Sequence, residues 1–371
     1  MLRHLESYFL DVIKGKKNGL LASLLRGGLH VLSWPFQFIV TCRNWIFDRG
    51  WVCRYYPPVP VVISVGNIVV GGTGKTPVTL MLAQEFYNDF SLAVLSRGYR
   101  SPAEKLSDPM MLSKGNGPMQ SAALCGDESF LLSQNLPKAF VIVGRNRHKA
   151  SNMAAKAGAQ VILLDDGMQH RRLARDFEVV VMDAGDLYGQ GYFLPRGLLR
   201  EGVKSLARAD LIIINHVADA NAFADMKVEV QRNSAALVIG TRMEVVDVLD
   251  FEGMLISNLQ GIKVGIFCGI AHPEYFHNTV SQLGATIVST LYTADHDSFE
   301  TEMLKAFAKE CLEKGAEMIL CTEKDRVKLV DIKGVVLPVA WIKMRLKVIE
   351  GNNEWRTFID RAKAILKASA I

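Results

Sequence analysis

Lys75 and Thr76 close a glycine-rich run, Gly71-Gly72-Thr73-Gly74-Lys75-Thr76. The apolar, β-branched stretch Val61-Val62-Ile63-Ser64-Val65-Gly66 precedes it, and a helical pattern over residues 78–86 follows. Strand, glycine turn and helix in that order make a phosphate-binding loop. Backbone N–H groups of such a turn face an anion, and the helix N-terminus adds partial positive charge. A lysine placed like Lys75 reaches the β- and γ-phosphates of a nucleotide, and a hydroxyl placed like Thr76 ligates Mg²⁺. The usual first glycine of the loop falls at Val69, so Gly71 and Gly72 supply the flexibility. The competing reading is an ordinary strand-to-helix turn.

A second constellation is Asp165-Asp166-Gly167-Met168-Gln169-His170, at the end of the apolar run Val161-Ile162-Leu163-Leu164. A carboxylate at the C-terminal end of a strand holds Mg²⁺ in many phosphoryl-transfer enzymes; a helix N-cap at Asp166 is the plainer alternative. Gly126-Asp127-Glu128 offers a base and a metal ligand, or again a helix cap. Ser96-Arg97-Gly98-Tyr99-Arg100 follows a strand, on the side where open α/β sheets bind ligands. Pro195-Arg196-Gly197-Leu198-Leu199-Arg200-Glu201 offers two arginines for phosphate and an acid for metal. Far downstream, His296 lies between Asp295 and Asp297, which favours a useful titration.

The elements that must position these groups are legible as apolar runs alternating with helical stretches. Strands are expected at residues 91–96, 139–143, 160–164, 178–182, 211–215, 236–240, 263–268, 286–290, 318–321 and 335–339. Many lack in/out alternation, as strands covered on both faces do. The expected fold is therefore a P-loop NTPase-like α/β fold, a doubly wound, mostly parallel sheet with a second, smaller α/β domain. A break is expected at residues 243–261, around the Asp-rich Val246-Asp247-Val248-Leu249-Asp250. The expected domains are an N-terminal segment over 1–56, a phosphate-loop domain over 57–245 and a smaller α/β domain over 246–371. A final amphipathic helix near 354–370 can pack on either domain.

The chain has 371 residues, 49% hydrophobic and 22% charged, which fits a folded protein of more than one domain. Its six cysteines form no CxxC pairs and no cluster with histidine. A disulfide framework or zinc site is not indicated, and a reducing compartment fits best. Residues 1–56 hold eight Lys/Arg against three Asp/Glu, which accounts for the whole net charge of +5. That distribution argues against nucleic acid as a partner and for one segment that meets an anionic surface. Residues 27–42 carry no Asp, Glu, Lys or Arg, yet fall short of the ~20 apolar residues of a spanning helix. Trp34, Phe36, Phe38, Trp45, Phe47 and Trp51, interleaved with basic residues, suit the headgroup region of a bilayer. A helical hairpin packed on the core and a true span are the alternatives.

Taken in order, these segments resemble one family, the tetraacyldisaccharide 4′-kinases of the lipid A pathway. The resemblance covers nearly the whole chain and includes residues 58–67, the Gly71–Pro77 loop, Arg97-Gly98-Tyr99, Gly126-Asp127-Glu128, residues 165–170, residues 195–201, Gly269-Ile270-Ala271, Asp295-His296 and Thr322-Glu323-Lys324-Asp325. It departs at Ser129, Leu198 and His272, where the family often has Pro, Pro and Asn. The resemblance implies transfer of the γ-phosphate of ATP, with Mg²⁺, to the 4′-hydroxyl of an acylated glucosamine disaccharide 1-phosphate. It implies peripheral, monotopic attachment to the cytoplasmic face of the inner membrane. Asp127 resembles the base for the hydroxyl and His296 its partner, brought together by domain closure. Lys75 and Thr76, with Gly71, Gly72, Thr73, Gly74 and Arg200, resemble the nucleotide contacts. Glu128, Asp165, Asp166, Gln169 and Glu201 join Thr76 as metal and phosphate-positioning residues, and Arg97, Tyr99 and His170 as substrate contacts. The oligomeric state is not legible.

Two other readings compete. One is a GTPase or metallochaperone-type P-loop NTPase; its guanine motif would need Lys one place earlier than in Thr322-Glu323-Lys324-Asp325. The other is a nucleotide-regulated membrane adaptor, which gives Asp127, Asp165, Asp166 and Glu201 no purpose.

Overall fold

The computed structural model describes residues 8–9, 11–13, 15–293, 301–329 and 332–369. In chain order the strands begin with β1 (Val61–Gly66), β2 (Leu92–Ser96), β3 (Met110–Lys114), β4 (Phe140–Val143), β5 (Val161–Asp165) and β6 (Phe177–Asp183). They continue with β7 (Leu211–Asn215), β8 (Leu237–Asp250), β9 (Lys263–Cys268), β10 (Thr286–Tyr292), β11 (Met318–Thr322) and β12 (Val339–Glu350). Two compact units form: one from Met1–Lys75, Leu163–Arg242 and Val348–Ile371, the other from Thr76–Ile162 and Met243–Lys347.

In the first unit β1, β6, β7 and β8 lie side by side and parallel, with Val65 opposite Val179, Val180 opposite Ile212 and Ile212 opposite Val238. Every residue of β1, β6 and β7 is buried, which is why these strands read as unbroken apolar runs. Ile68, Met168, Val180, Ile212, Ile214, Phe223 and Val238 share one core. The helix Asn352–Ala368 buries Trp355, Phe358, Ile359, Ala362 and Leu366, a stripe at helical spacing. It belongs to this unit: Phe358 meets Phe177 edge-on, ring centroids 5.3 Å apart, and Glu354 pairs with Lys227 at 2.7 Å.

The helix Leu20–Asp48 also belongs to the first unit, and its two ends differ. Near its C-terminus Phe47 is buried, Arg171 donates to the Asn44 carbonyl at 3.0 Å and pairs with Asp48 at 2.5 Å. Over the rest, Leu20, Leu21, Leu24, Val31, Leu32, Trp34, Phe38 and Ile39 are exposed. Phe36 is half-buried, its ring 6.4 Å from that of Phe193, so it does not share the outward face of Trp34 and Phe38.

The second unit carries β9, β10, β11 and β12 in the parallel order β10-β9-β11-β12. It also carries β2 parallel to β4, with β3 antiparallel on the other side of β4. The expected mostly parallel α/β sheet is thus present. Strand β3 was not expected: Ser113 and Lys114 break its apolar run, as an edge strand allows. The last strand begins at Val339 rather than 335, after Pro338, which has no N–H for a ladder. From there it alternates, Ile342, Met344 and Leu346 against Lys343, Arg345 and Lys347, so a search for continuous apolar runs passes over it. Strand β8 runs unbroken through Leu237–Asp250, so the Asp-rich residues 246–250 are strand, and the division between the units falls within that strand at Arg242/Met243.

All six cysteines are free. Burial pushes the Cys125 and Cys268 thiols up to about 12 and Cys311 to about 11, whereas Cys53 is exposed. At pH 8 only roughly 10⁻⁴ to 10⁻³ of a thiol with such a pKa is the reactive thiolate. Iodoacetamide followed by peptide mass spectrometry is therefore expected to modify Cys53 first and to spare Cys125, Cys268 and Cys311 until the protein is denatured. Early labelling of those three would contradict the packing of both strands and helices around them.

Candidate functional site

At the end of β1 the chain leaves the sheet in a turn that glycine makes possible. Gly71 has φ +121 and Gly74 φ +85, conformations that side chains resist. A Cβ on Gly74 would also collide with the Asn215 amide. The turn is held from beneath by buried polar groups: Asn67 donates to the Thr73 hydroxyl at 2.9 Å and Asn215 to the Thr73 carbonyl at 2.6 Å. Thr241 in turn donates to Asn215 Oδ1 at 2.5 Å. Asn67, Asn215 and Thr241 are all fully or almost fully buried, so each must have partners to be tolerated.

A strap covers the first part of the loop. Val70 N–H donates to the Leu198 carbonyl at 2.7 Å, and Arg200 N–H to the Ile68 carbonyl at 2.7 Å. This places Arg200 over the end of β5, where its guanidinium meets both Asp166 oxygens at 3.1 Å. Lys75 Nζ lies 3.6 Å from Asp166 Oδ1. Asp166 itself has φ +53, a left-handed strain typical of functional turns. The turn is braced by Arg175, which donates to the carbonyls of Gly167, His170 and Leu173 and pairs with Glu178 at 2.8 Å. Gln169 bridges the Asn67 carbonyl, at 2.8 Å, and Arg200, at 3.4 Å. Two cations thus converge on one carboxylate beside a cradle of glycine N–H groups, an arrangement that accepts phosphate in place of the carboxylate.

Glu201, expected among the metal-positioning residues, has other partners. It is fully buried; Oε1 accepts from Arg43 at 3.0 Å, and Oε2 from Asn44 at 2.8 Å and Arg208 at 2.7 Å. Both oxygens are taken by donors, which makes Glu201 the anion of an internal ion cluster that ties the Leu20–Asp48 helix to the strap. Arg196, expected to touch phosphate, lies over the Tyr192 ring at 4.3 Å.

The second unit brings together a separate group. Asp127 and Glu128 open the helix Asp127–Asn135, directly after Gly126, whose φ is +88. Ser96, Gly98, Tyr99, Asp127, Glu128 and Ser129 line one pocket. Tyr99 is exposed there, while Arg97 is paired with Glu104 at 2.7 Å. Lys324 donates to Glu128 at 3.2 Å, and Lys328 Nζ lies 3.9 Å from Asp127 Oδ2. Thr76, which follows Lys75 in the helix Lys75–Phe86, is buried. His170 is half-buried in the first unit. His296, with Asp295 and Asp297, lies outside the described residues. Among the described residues no group of three or more His, Cys, Asp and Glu is arranged to hold a metal.

Reading by motif missed Asn215, Thr241, Lys324 and Lys328. Lys324 was in view only within Thr322-Glu323-Lys324-Asp325, and Lys328 not at all; their spacing of four positions is the signal that two acids could face them. Asp183 at the end of β6, paired with His216 at 2.9 Å, also went unnoticed.

A glycine cradle at the end of a buried parallel strand, with lysine in the cradle and acids at the end of β5, defines a P-loop phosphotransferase. Comparison with known proteins narrows this. The LpxK family, described as tetraacyldisaccharide-1-P 4′-kinase, matches residues 25–363, and the chain belongs to that family. A tetraacyldisaccharide 4′-kinase of Syntrophotalea carbinolica is 36% identical over 322 residues, covering 86% of this chain and 87% of that one. One from Chlamydia pneumoniae is 35% identical over 325 residues, with 86% and 85% covered. The crystal structure of LpxK from Aquifex aeolicus in complex with ATP is similar with a TM-score of 0.71 and 27% identity, covering 91% of this chain and 99% of that one.

The ion cluster makes a discriminating prediction. Glu201→Ala leaves Arg43 and Arg208 without their shared anion, and because both arginines keep some solvent the loss of stability is expected at about 3 kcal/mol. Chemical denaturation should show it, and it should not depend on Mg²⁺. Wild-type stability with a raised Mg²⁺ requirement for turnover would instead make Glu201 a metal-facing group.

Proposed function

We propose that this chain binds ATP at the Gly71–Thr76 loop and transfers its γ-phosphate to the 4′-hydroxyl of a tetraacylated glucosamine disaccharide 1-phosphate. Membership of the 4′-kinase family supports the reaction. The observation that carries the nucleotide reading is the convergence of Lys75 and Arg200 on Asp166 beside Gly71 and Gly74. In this reading phosphate oxygens take over from the Asp166 carboxylate as the partners of both cations. Lys75 draws charge from the β- and γ-phosphates, and Arg200, oriented through the strap, stabilises the oxygens of the transferring group.

For Mg²⁺ the donor chemistry fits a site completed by phosphates rather than a protein cage. Thr76 supplies a hydroxyl at the start of a helix and Asp165 a buried carboxylate at the end of β5. Mg²⁺ is commonly held by one or two such oxygens plus substrate phosphates. When bound, the ion neutralises charge on the phosphates. Gln169 and Glu201 are already engaged by Arg200 and by Arg43, Asn44 and Arg208, which weighs against both as ligands.

Asp127 is proposed as acceptor of the hydroxyl proton, with His296 as its partner and Glu128 beside it. A sugar hydroxyl attacks only as its proton finds a base, and a carboxylate at a pocket wall is suited to that. Tyr99, lining the same pocket, is suited to the sugar face. Arg97 and His170 are proposed as further substrate contacts.

The membrane reading rests on the helix Leu20–Asp48. No helix of the described residues is long and apolar enough to cross a membrane. Yet Leu20, Leu24, Trp34, Phe38 and Ile39 are exposed along that one helix, and clustered outward apolar residues mark membrane or partner contact. We place it in the headgroup–acyl boundary at the cytoplasmic face of the inner membrane, where the acyl chains of the substrate reside and the basic excess meets anionic lipid.

Two experiments test this. Label transfer from γ-labelled ATP to the lipid is expected to be lost in Lys75→Ala, and kcat to fall by about 10²–10⁴ in Asp127→Asn with little change in KM for ATP. Folded Lys75→Ala protein with normal turnover would exclude the loop assignment. Trp34→Glu with Phe38→Glu is expected to weaken co-sedimentation with anionic vesicles about tenfold or more while leaving ATP affinity unchanged. Undiminished vesicle binding would show that this face is not the membrane contact.

A further inference from the structure

We infer that Lys328 is a positioning residue for Asp127, setting the carboxylate through a buried ammonium that the sequence Thr322-Glu323-Lys324-Asp325 exists to hold. The inference rests on the reading of Asp127 as acceptor of the hydroxyl proton.

The arrangement is built from β11 outward. Thr322 ends the strand and caps the short helix Glu323–Arg326, its hydroxyl accepting from the Asp325 N–H at 3.1 Å and donating to Asp325 Oδ2 at 2.6 Å. Asp325 is fully buried. Its carbonyl accepts from the Lys328 N–H at 3.0 Å, and its Oδ1 from Lys328 Nζ at 3.2 Å. The Lys328 side chain is only 4% exposed. An ammonium that far from water needs anions around it. Asp325 is one, and among the described residues Asp127 is another, 3.9 Å from the same nitrogen.

Two neighbouring details indicate that this reach is built in. A Cβ on Gly269 would lie 3.3 Å from both Asp325 Oδ1 and Lys328 Nζ, so glycine there keeps room for the pair. Lys324, one turn earlier, donates to Glu128 at 3.2 Å. Lys324 in the helix Glu323–Arg326 and Lys328 in the turn after it therefore face two consecutive acids at the start of the helix Asp127–Asn135. The Asp325 arm is short and geometrically fixed. The Asp127 arm is longer than a hydrogen bond and acts by charge. Asp325 anchors the ammonium, and the ammonium sets which way the Asp127 carboxylate faces. A purely structural ion pair would serve the turn alone, and its loss would lower the rate equally whether or not Asp127 is present.

The test is a double-mutant cycle in the full chain. Lys328→Met is expected to lower kcat about 10²-fold, the size of loss that misplacement of a reacting group causes, with KM for ATP unchanged. In an Asp127→Asn background the same substitution is expected to cost nothing further. Lys328→Gln, which keeps a hydrogen-bond donor for Asp325, carries the same expectations should Lys328→Met fail to fold. Wild-type kcat in either folded variant, an equal loss with and without Asp127, or failure of both variants to fold would assign Lys328 a structural role and overturn the proposal. If Asp127→Asn alone retains wild-type kcat, it is the reading of Asp127 that fails. If Asp127→Asn is slow and Lys328→Met is not, only the role of Lys328 fails.

Discussion

The turn at the end of β1 is the constraint on which the rest of the first unit depends. Its backbone must swing out of a fully buried strand and present N–H groups outward, in a conformation open only to glycine at Gly71 and Gly74. Such a turn has no regular ladder to satisfy it, so the protein supplies side chains from elsewhere. Asn67, Asn215 and, behind it, Thr241 fix Thr73 from the core side. The strap through Leu198 and Arg200 fixes the opposite edge. A loop held on both sides pays little reorganisation when an anion arrives, and that preorganisation is where phosphoryl transfer draws most of its rate.

Charge is arranged in three local groups of different character. Lys75, Asp166 and Arg200 are partly exposed and suited to exchange partners with a phosphate. Arg43 and Arg208 flank the buried Glu201 anion and hold an apolar-faced helix to the strap that carries Arg200. Asp127, Lys328 and Asp325 share one buried cation. The first group suits binding and the second attachment; the third belongs with the acid that we assign to the proton.

What could be seen in the sequence follows from how local each signal is. The phosphate loop and the Asp165–His170 run are contiguous, and their strand-then-turn pattern is carried by a few adjacent residues. Strands β1, β5, β6 and β7 were legible for the same reason, since burial on both faces makes them unbroken apolar runs. Strand β12 was misplaced because Lys343, Arg345 and Lys347 alternate with its apolar side, and the strand character of residues 246–250 was hidden by two aspartates. The partners of Glu201 were not legible at all: Arg43 lies 158 positions away, and nothing near Glu201 in the chain distinguishes an ion-pair anion from a metal ligand. Asn215 and Thr241 likewise gain their meaning only when β7 and β8 are laid beside the loop. Lys324 was read only within Thr322-Glu323-Lys324-Asp325 and Lys328 carried no motif; both gain meaning only from Glu128 and Asp127 opposite them.

The helix Leu20–Asp48 has a docked end and an outward apolar face. An enzyme whose acceptor is a lipid must act where that lipid lies, and we propose that this helix reaches it by lying in the membrane plane. The claim that matters most is the identity of the acceptor oxygen. It is tested by supplying γ-labelled ATP and tetraacyldisaccharide 1-phosphate in mixed micelles and mapping the product by phosphorus–proton correlation NMR. The account predicts a new phosphomonoester on the 4′-oxygen, formed in step with loss of the γ-phosphate. Label released only as inorganic phosphate, or attached to any other oxygen, would contradict it.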